Sequence, residues 1–242
     1  MRVLCVIPAL NEERALPAVI EELRATGRER AIDFEIAVVD DGSSDQTSAV
    51  ARAAGARVVR FCRNLGIGGA VQGGLRVAHR ERFDCAIQID GDGQHPPSEV
   101  PKLLERFAAE PTADLIVGTR YRSNGGYRST AMRRLGSWWL SRVLRIITGV
   151  KVTDPTSGFR LYGPRALELF DRTYPYDYPE PEALAIARRA DLVVAEVPIA
   201  MRERQHGRSS IAGLSIPYYM LKVTIAVILS YMRSGRRTPP GA

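Results

Sequence analysis

Short, almost continuous apolar runs alternate with amphipathic stretches through the first half of this chain. Val3–Pro8, Glu35–Asp40, Arg57–Phe61, Cys85–Asp90 and Leu115–Thr119 are the runs, rich in β-branched and aliphatic residues. Between them, about Glu12–Ala25, Thr47–Ala54, Gly69–Arg80 and Ser98–Ala108 space their apolar residues as helices do. Strands that are apolar throughout, separated by helices, predict an α/β fold with a mainly parallel central sheet flanked by helices. Such sheets bind ligands beyond the carboxyl ends of their strands.

After Thr119 the rhythm changes. A Gly- and Arg-rich loop (Arg120–Ser129) leads to a predicted helix over Ala131–Thr148, a short helix near Pro164–Phe170 and an aromatic and proline stretch, Tyr174–Pro181. A last strand, Val193–Ile199, precedes the basic loop Arg202–Arg208. The apolar segment Ile211–Met232 predicts a helix opening at Pro217, because proline is tolerated in a first turn. At ~1.5 Å per residue it reaches about 24 Å, short of the ~30 Å hydrocarbon core. Lys222 interrupts it, Tyr218 and Tyr219 stand at its start and Arg233, Arg236 and Arg237 follow. This pattern predicts an apolar, amphipathic helix lying in a membrane interface, with packing on the core or on another subunit as the alternative. The expected organisation is a catalytic domain over 1–210, the interfacial helix over 211–233 and a flexible basic tail over 234–242.

The polar residues gather at the predicted strand ends. Pro8–Glu13, Asp40–Asp45, Arg63–Gly69 and Asp90–His95 follow the first four strands and bring carboxylates and glycines to one rim. Asp90-Gly91-Asp92 closes a buried strand with two carboxylates, the hard oxygen donors that Mg²⁺ or Mn²⁺ prefers while keeping sites for substrate phosphate. Gln94 and His95 stand next to complete or orient that shell. Of Asp40 and Asp41, one carboxylate is expected to hold the loop and the other to meet a nucleotide base or ribose. Glu12 reads either as a nucleotide contact or as an acid at a helix start. Gly66–Gly69 lacks the Lys-Ser/Thr of a P-loop and the dinucleotide-fold spacing, so it reads as a turn opening a helix.

Charge narrows the partners. The formal net charge of +7 favours an anionic partner. Nucleic acid is not expected, because neither interleaved aromatics nor a recognisable module accompanies the charge. Arginine carries nearly all of it, lysine occurring only at Lys102, Lys151 and Lys222; its planar fork suits phosphate oxygens. Cys5, Cys62 and Cys85 form no metal-ligand pair and read as small core residues in a reducing compartment. The amino terminus shows no signal-peptide pattern, so the protein is expected at the cytoplasmic side.

Taken together, Pro8–Glu13, Val38–Asp45, Asn64-Leu65-Gly66, Asp90–Pro96, Gly118–Tyr121, Ser157–Arg160 and Arg204–Ser209 resemble glycosyltransferase family 2, with its GT-A fold. The polyprenol- and dolichol-phosphate sugar transferases are the members it resembles most. The match runs in order from about Val3 to Ser210. By this resemblance Pro8, Leu10, Glu12, Val39 and Asp41, with Asp90, Gly91 and Asp92, bind the nucleotide-sugar donor. Asp90, Asp92 and Gln94 hold the metal, and Arg120, Arg133, Ser137, Arg204 and Ser209 take the acceptor phosphate. Asp90, Asp92 and Arg204 become the catalytic set. Leu10 stands where relatives often carry tyrosine, and Asp-Gly-Asp-Gly replaces a common Asp-Ala-Asp-Leu, so donor identity does not carry over.

The expected activity is a metal-dependent, inverting transfer of a sugar from a nucleotide diphosphate to a lipid phosphate. The metal neutralises the leaving diphosphate. A phosphate monoester, with a second pKa of ~6, is already anionic and needs no base. His95 and His206 stand as bases only for a hydroxyl acceptor. A family 2 transferase acting on a glycan or soluble hydroxyl, or a nucleotide-sugar-binding subunit without turnover, are the alternatives. The remaining expected partners are a membrane surface and either a second copy or a small membrane protein.

Overall fold

The computed structural model describes residues 1–121, 131–202 and 216–232. Its strands are β1 (Val3–Ala9), β2 (Phe34–Asp40), β3 (Arg57–Arg60), β4 (Cys85–Gln88), β5 (Leu115–Thr119), β6 (Arg160–Tyr162) and β7 (Val194–Pro198). They form one seven-stranded sheet in the order β3-β2-β1-β4-β6-β5-β7. Neighbours run parallel except at β6, which is antiparallel to both β4 and β5. The helices are α1 (Leu16–Arg30), α2 (Thr47–Ala53), α3 (Ile67–Arg80), α4 (Val100–Ala109), α5 (Ala131–Thr148), α6 (Pro164–Arg172), α7 (Pro179–Arg189) and α8 (Ile216–Met232).

Every residue of β1 is buried, which explains its unbroken apolar run. Its side chains alternate between two cores. Leu4 and Val6 join the layer beneath α3, α6 and α7, while Val3, Cys5 and Ile7 join the layer beneath α1 and α4. Both cysteines of this sheet are core groups, and burial pushes the Cys85 thiol up to about 12. Cys62 is exposed rather than in the core.

The sheet is mainly parallel, as expected; its antiparallel member, β6, is three residues long and begins with a charged residue, so no apolar periodicity announces it. The last residues of the aromatic and proline stretch open α7, where Pro179 occupies the first turn and Glu180 and Glu182 favour the positive end of the helix dipole. The first helix also begins later than expected, at Leu16, because the Glu12 carbonyl closes a turn onto the N–H groups of Ala15 and Leu16.

The carboxyl-terminal helix packs against α5 and α7, with Val223 and Val227 wholly buried. Its other face shows Tyr218, Leu221, Ile225, Leu229 and Met232 to solvent, and α5 likewise exposes Leu135, Trp138, Trp139 and Ile146. The Trp139 indole N–H donates to Thr224 Oγ1 at 3.2 Å and joins the two helices. Among the described residues no helix is long and apolar enough to cross a membrane.

Candidate active site

A cleft of ≈ 330 Å³ opens at the carboxyl ends of β1, β2 and β4, lined by Pro8, Ala9, Leu10, Glu12, Asp41, Asn64, Gly66, Ile67, Ala70, Asp90, Gly91, Asp92 and Glu180. Seven of the expected donor residues therefore meet in one place. Val39, the eighth, is wholly buried in the core and lies outside the lining.

The loops after β1 and β2 are laced together, which fixes the rim. Asn11 N–H donates to Ser43 Oγ at 3.0 Å, Ser44 N–H to Asn11 Oδ1 at 2.9 Å and Glu12 N–H to Thr47 Oγ1 at 2.9 Å. Asp40 is the loop-holding carboxylate: Ser43 N–H and the Ser48 hydroxyl both donate to it, and Arg60 Nε stands 3.7 Å away. Burial alone would raise its pKa, but these hydrogen bonds and the arginine bring it below the usual carboxylate range. Asp41 lines the cleft and also accepts Leu65 N–H at 2.7 Å and Gly66 N–H at 2.9 Å, so it anchors the loop opening α3. Gly42 makes this close approach possible. Its φ is +78°, and a β-carbon there would come within 2.9 Å of the Arg63 carbonyl carbon.

Asp90 and Asp92 stand at the end of β4, as the sequence predicts. Asp92 Oδ1 accepts Gln94 N–H at 3.0 Å, so Gln94 enters through its backbone and lies outside the cleft lining. His95 faces inward, stacked on Phe159 with ring centroids 5.1 Å apart. Its Nδ1 accepts Asp90 N–H at 3.2 Å, which requires a lone pair on that nitrogen. Its 3.4 Å approach to Asp90 Oδ2 is therefore not an ion pair. The histidine positions the Asp90 backbone. A β-carbon on Gly158 would sit 3.1 Å from Asp90 Oδ1 and 3.2 Å from Gln88 Nε2, so a side chain there would press on that carboxylate.

The acceptor-phosphate residues are divided. Arg120 closes its fork on wholly buried Asp154, Nε to Oδ2 at 2.5 Å and Nη2 to Oδ1 at 2.6 Å, and Nη2 also donates to Thr156 Oγ1 at 2.9 Å. Ser137 is buried and donates to the Thr153 carbonyl at 3.1 Å. Both thus converge on the loop over 153–156, which Glu196 fastens by accepting Thr153 N–H at 2.6 Å and Asp154 N–H at 3.1 Å. Arg133 lies in α5, its side chain outside the described ones, and Arg204, His206 and Ser209 lie outside the described residues.

Sequence reasoning passed over Glu180 and Arg160. Glu180 reaches the cleft from the first turn of α7; burial pushes its carboxyl above the usual range, Arg160 opposes the shift and Asp90 adds to it. Arg160 is wholly buried on β6, donating from Nε to the Ser157 carbonyl at 2.7 Å and from Nη2 to the Pro155 carbonyl at 3.0 Å. Its Nη1 has no hydrogen-bond partner among the described residues, and neither has Nε2 of Gln88, its cross-strand neighbour. The available signal for Glu180 was a helix start, proline followed by two glutamates; Arg160 offered only its place in Ser157–Arg160.

The rim of acidic strand ends, with a pair of carboxylates after β4, lies where mainly parallel sheets bind their ligands. The chain belongs to Glycosyl transferase family 2, whose sequence profile it matches over residues 4–170. It is 34% identical over 235 residues to an undecaprenyl-phosphate mannosyltransferase of Micrococcus luteus, covering 93% of each chain. It is 32% identical to a polyprenol monophosphomannose synthase of Mycolicibacterium smegmatis, over 92% of this chain and 85% of that one. Among solved structures it is similar to glucosyl-3-phosphoglycerate synthase from Mycobacterium tuberculosis in complex with Mn²⁺, uridine diphosphate and phosphoglyceric acid. The TM-score is 0.72 at 26% identity, covering 95% of this chain and 78% of that one.

Proposed function

We propose that this protein transfers a sugar, with inversion, from a nucleotide-diphosphate sugar to a polyprenyl phosphate, attached peripherally at the cytoplasmic face of a membrane. The observation that carries this reading is the convergence of Glu12, Asp41, Asp90 and Asp92 on one cleft at the strand ends. The relatives named for polyprenyl-phosphate acceptors support the choice of acceptor.

The carboxylates fit a hard divalent cation. Among the described residues no three His, Cys, Asp or Glu side chains come close enough together to hold a metal ion by themselves. The pair therefore suits Mg²⁺ or Mn²⁺, which take further oxygens from a diphosphate. Such an ion, when bound, neutralises charge on the leaving nucleoside diphosphate. Asp90 and Asp92, with Gln94 beside them, would hold it. Asp41 and the laced loops keep the nucleoside wall rigid, and His95 sets the Asp90 backbone. Arg133, Arg204 and Ser209 are proposed to meet the acceptor phosphate, while Arg120 and Ser137 brace the loop over 153–156. That phosphate brings its own anionic oxygen, so no residue need take a proton from it.

The exposed faces of α5 and α8 support membrane attachment. Trp138, Trp139 and Tyr218 supply ring surface suited to an interface, and Arg134, Arg142, Arg145 and Lys222 are exposed around the aliphatic residues. Lys222 Nζ lies 4.4 Å from the Tyr218 ring centroid. The test is transfer of labelled sugar from a panel of nucleotide-sugars to undecaprenyl phosphate in detergent. Label should pass into the organic phase, stop on chelation and resume with Mn²⁺. Transfer to glycan or free-sugar hydroxyls alone, or chelation without effect, would overturn the reading.

A further inference from the structure

The donor cleft has an end that the roles above leave unused. Reading across the sheet, Asp41 follows β2, Pro8 to Glu12 close β1 and follow it, and Asp90 follows β4, with β6 next in order. A donor laid with its nucleoside at β2 and β1 and its phosphates at β4 places its sugar toward β6. There Glu180 enters the cleft from α7, and Arg160 lies buried on β6 itself.

Glu180 has no side-chain hydrogen-bond partner in another residue among the described ones, although burial and the nearby Asp90 both disfavour its charge. On the adjoining strands β4 and β6, Gln88 Nε2 and Arg160 Nη1 are buried donors without a partner among the described residues. A buried polar group without a partner is costly unless a ligand supplies one. In the cleft itself, a ligand rich in hydroxyl groups can supply the missing donors to the Glu180 carboxylate. A second phosphate would not serve, because Asp90 and Glu180 already crowd negative charge together. Arg160 opposes the effect of burial on Glu180 without cancelling it.

We propose that Glu180 reads the transferred sugar, its carboxylate accepting hydrogen bonds from the sugar hydroxyls at the β6 end of the cleft. The inference rests on the donor-cleft reading, and two measurements separate their failures. Full-length protein with Mn²⁺ is titrated with UDP and GDP, then with UDP-glucose, UDP-N-acetylglucosamine and GDP-mannose. Absence of metal-dependent binding of either sugar-free nucleotide would remove the cleft reading, and the inference with it.

If the nucleotides bind, the readout is the ratio of the affinity for the preferred nucleotide-sugar to that for its sugar-free nucleotide. Glu180→Ala should lower this ratio about tenfold, the value of a hydrogen bond to a charged group, and leave binding of the sugar-free nucleotide in place. Glu180→Gln, close in shape, should change the preference among the three sugars. A ratio and preference unchanged in both variants would overturn the inference. So would an unchanged ratio with collapsed turnover in Glu180→Gln, which would make the residue a base for a hydroxyl acceptor.

Discussion

Replacing Arg120 by Gln tests whether the loop over 153–156 hangs on one buried ion pair. Asp154 is wholly buried, and the Arg120 side chain is 15% exposed. The substitution leaves a carboxylate in the interior with the Arg120 N–H at 3.2 Å and the Thr156 hydroxyl as its neighbours. Breaking one side of such a pair costs about 3–5 kcal/mol, and the partial exposure points to the lower end. For a chain of this size each kcal/mol moves the melting temperature by roughly 2–4 °C, so a fall of about 6–12 °C is expected. Differential scanning calorimetry on Arg120→Gln, Asp154→Leu and the double variant closes the cycle. The double variant should recover much of the loss, because both charges leave together. Acceptor dependence, measured well below the lowest melting temperature, should change little. An unchanged melting temperature with a raised acceptor KM would refute the reasoning and place Arg120 directly on the phosphate.

Asp92→Asn keeps the shape of the loop and removes a charged ligand, so turnover should fall by orders of magnitude while circular dichroism and melting stay near wild type; normal turnover would remove the metal from Asp92. Gly158→Ala pushes a methyl group against Asp90 and should weaken Mn²⁺ binding by about 10–100-fold in titration calorimetry, as displaced support around a metal ligand does; unchanged affinity would mean that Asp90 is not a ligand. The folded pKa of Asp40 is depressed. Its stabilising effect is therefore complete above the ordinary ~3.9 and is lost as pH falls through the folded value. Asp40→Asn should accordingly be less stable at pH 7 and show a shallower acid loss in denaturant titrations; parallel pH profiles would contradict this. Trp138→Ser combined with Leu221→Ser and Leu229→Ser should reduce co-sedimentation with anionic vesicles, and high salt should weaken the wild type only in part, since the apolar contribution persists. Equal sedimentation would assign that face to another protein surface.

The first half of the fold was legible because β1, β2 and β4 are buried on both faces and each ends abruptly in polar residues. Hydrophobic runs and carboxylates therefore marked both the sheet and its rim, and Asp41, Asp90 and Asp92 lie where that pattern put them. The second half was less legible for physical reasons. β6 is too short for a period and holds Arg160, whose burial rests on carbonyls of its own loop, a local arrangement that composition does not reveal. Glu180 was hidden because Tyr174–Pro181 reads only as an aromatic and proline stretch until Pro179 is taken as the first turn of a helix. Gln94 and His95 were placed beside the carboxylates by sequence adjacency, yet one supports them through its backbone and the other through an inward-facing ring.

The antiparallel strand β6 also bears on the order in which the molecule assembles. β3, β2, β1 and β4 can pair as soon as the first part of the chain is available. β5 has no neighbour in that group, because β6, synthesised well after it, sits between β5 and β4. The two portions of the sheet therefore join only when Arg160–Tyr162 docks along both edges at once, a long-range closure of the kind that slows folding. Until then β4 and β5 both present open edges, which makes the intermediate prone to association. The same closure brings Arg160 beneath the cleft and lays Gly158 against Asp90, so no partly folded form owns a finished catalytic centre. A nascent chain of this protein gains its chemistry in the step that seals its sheet.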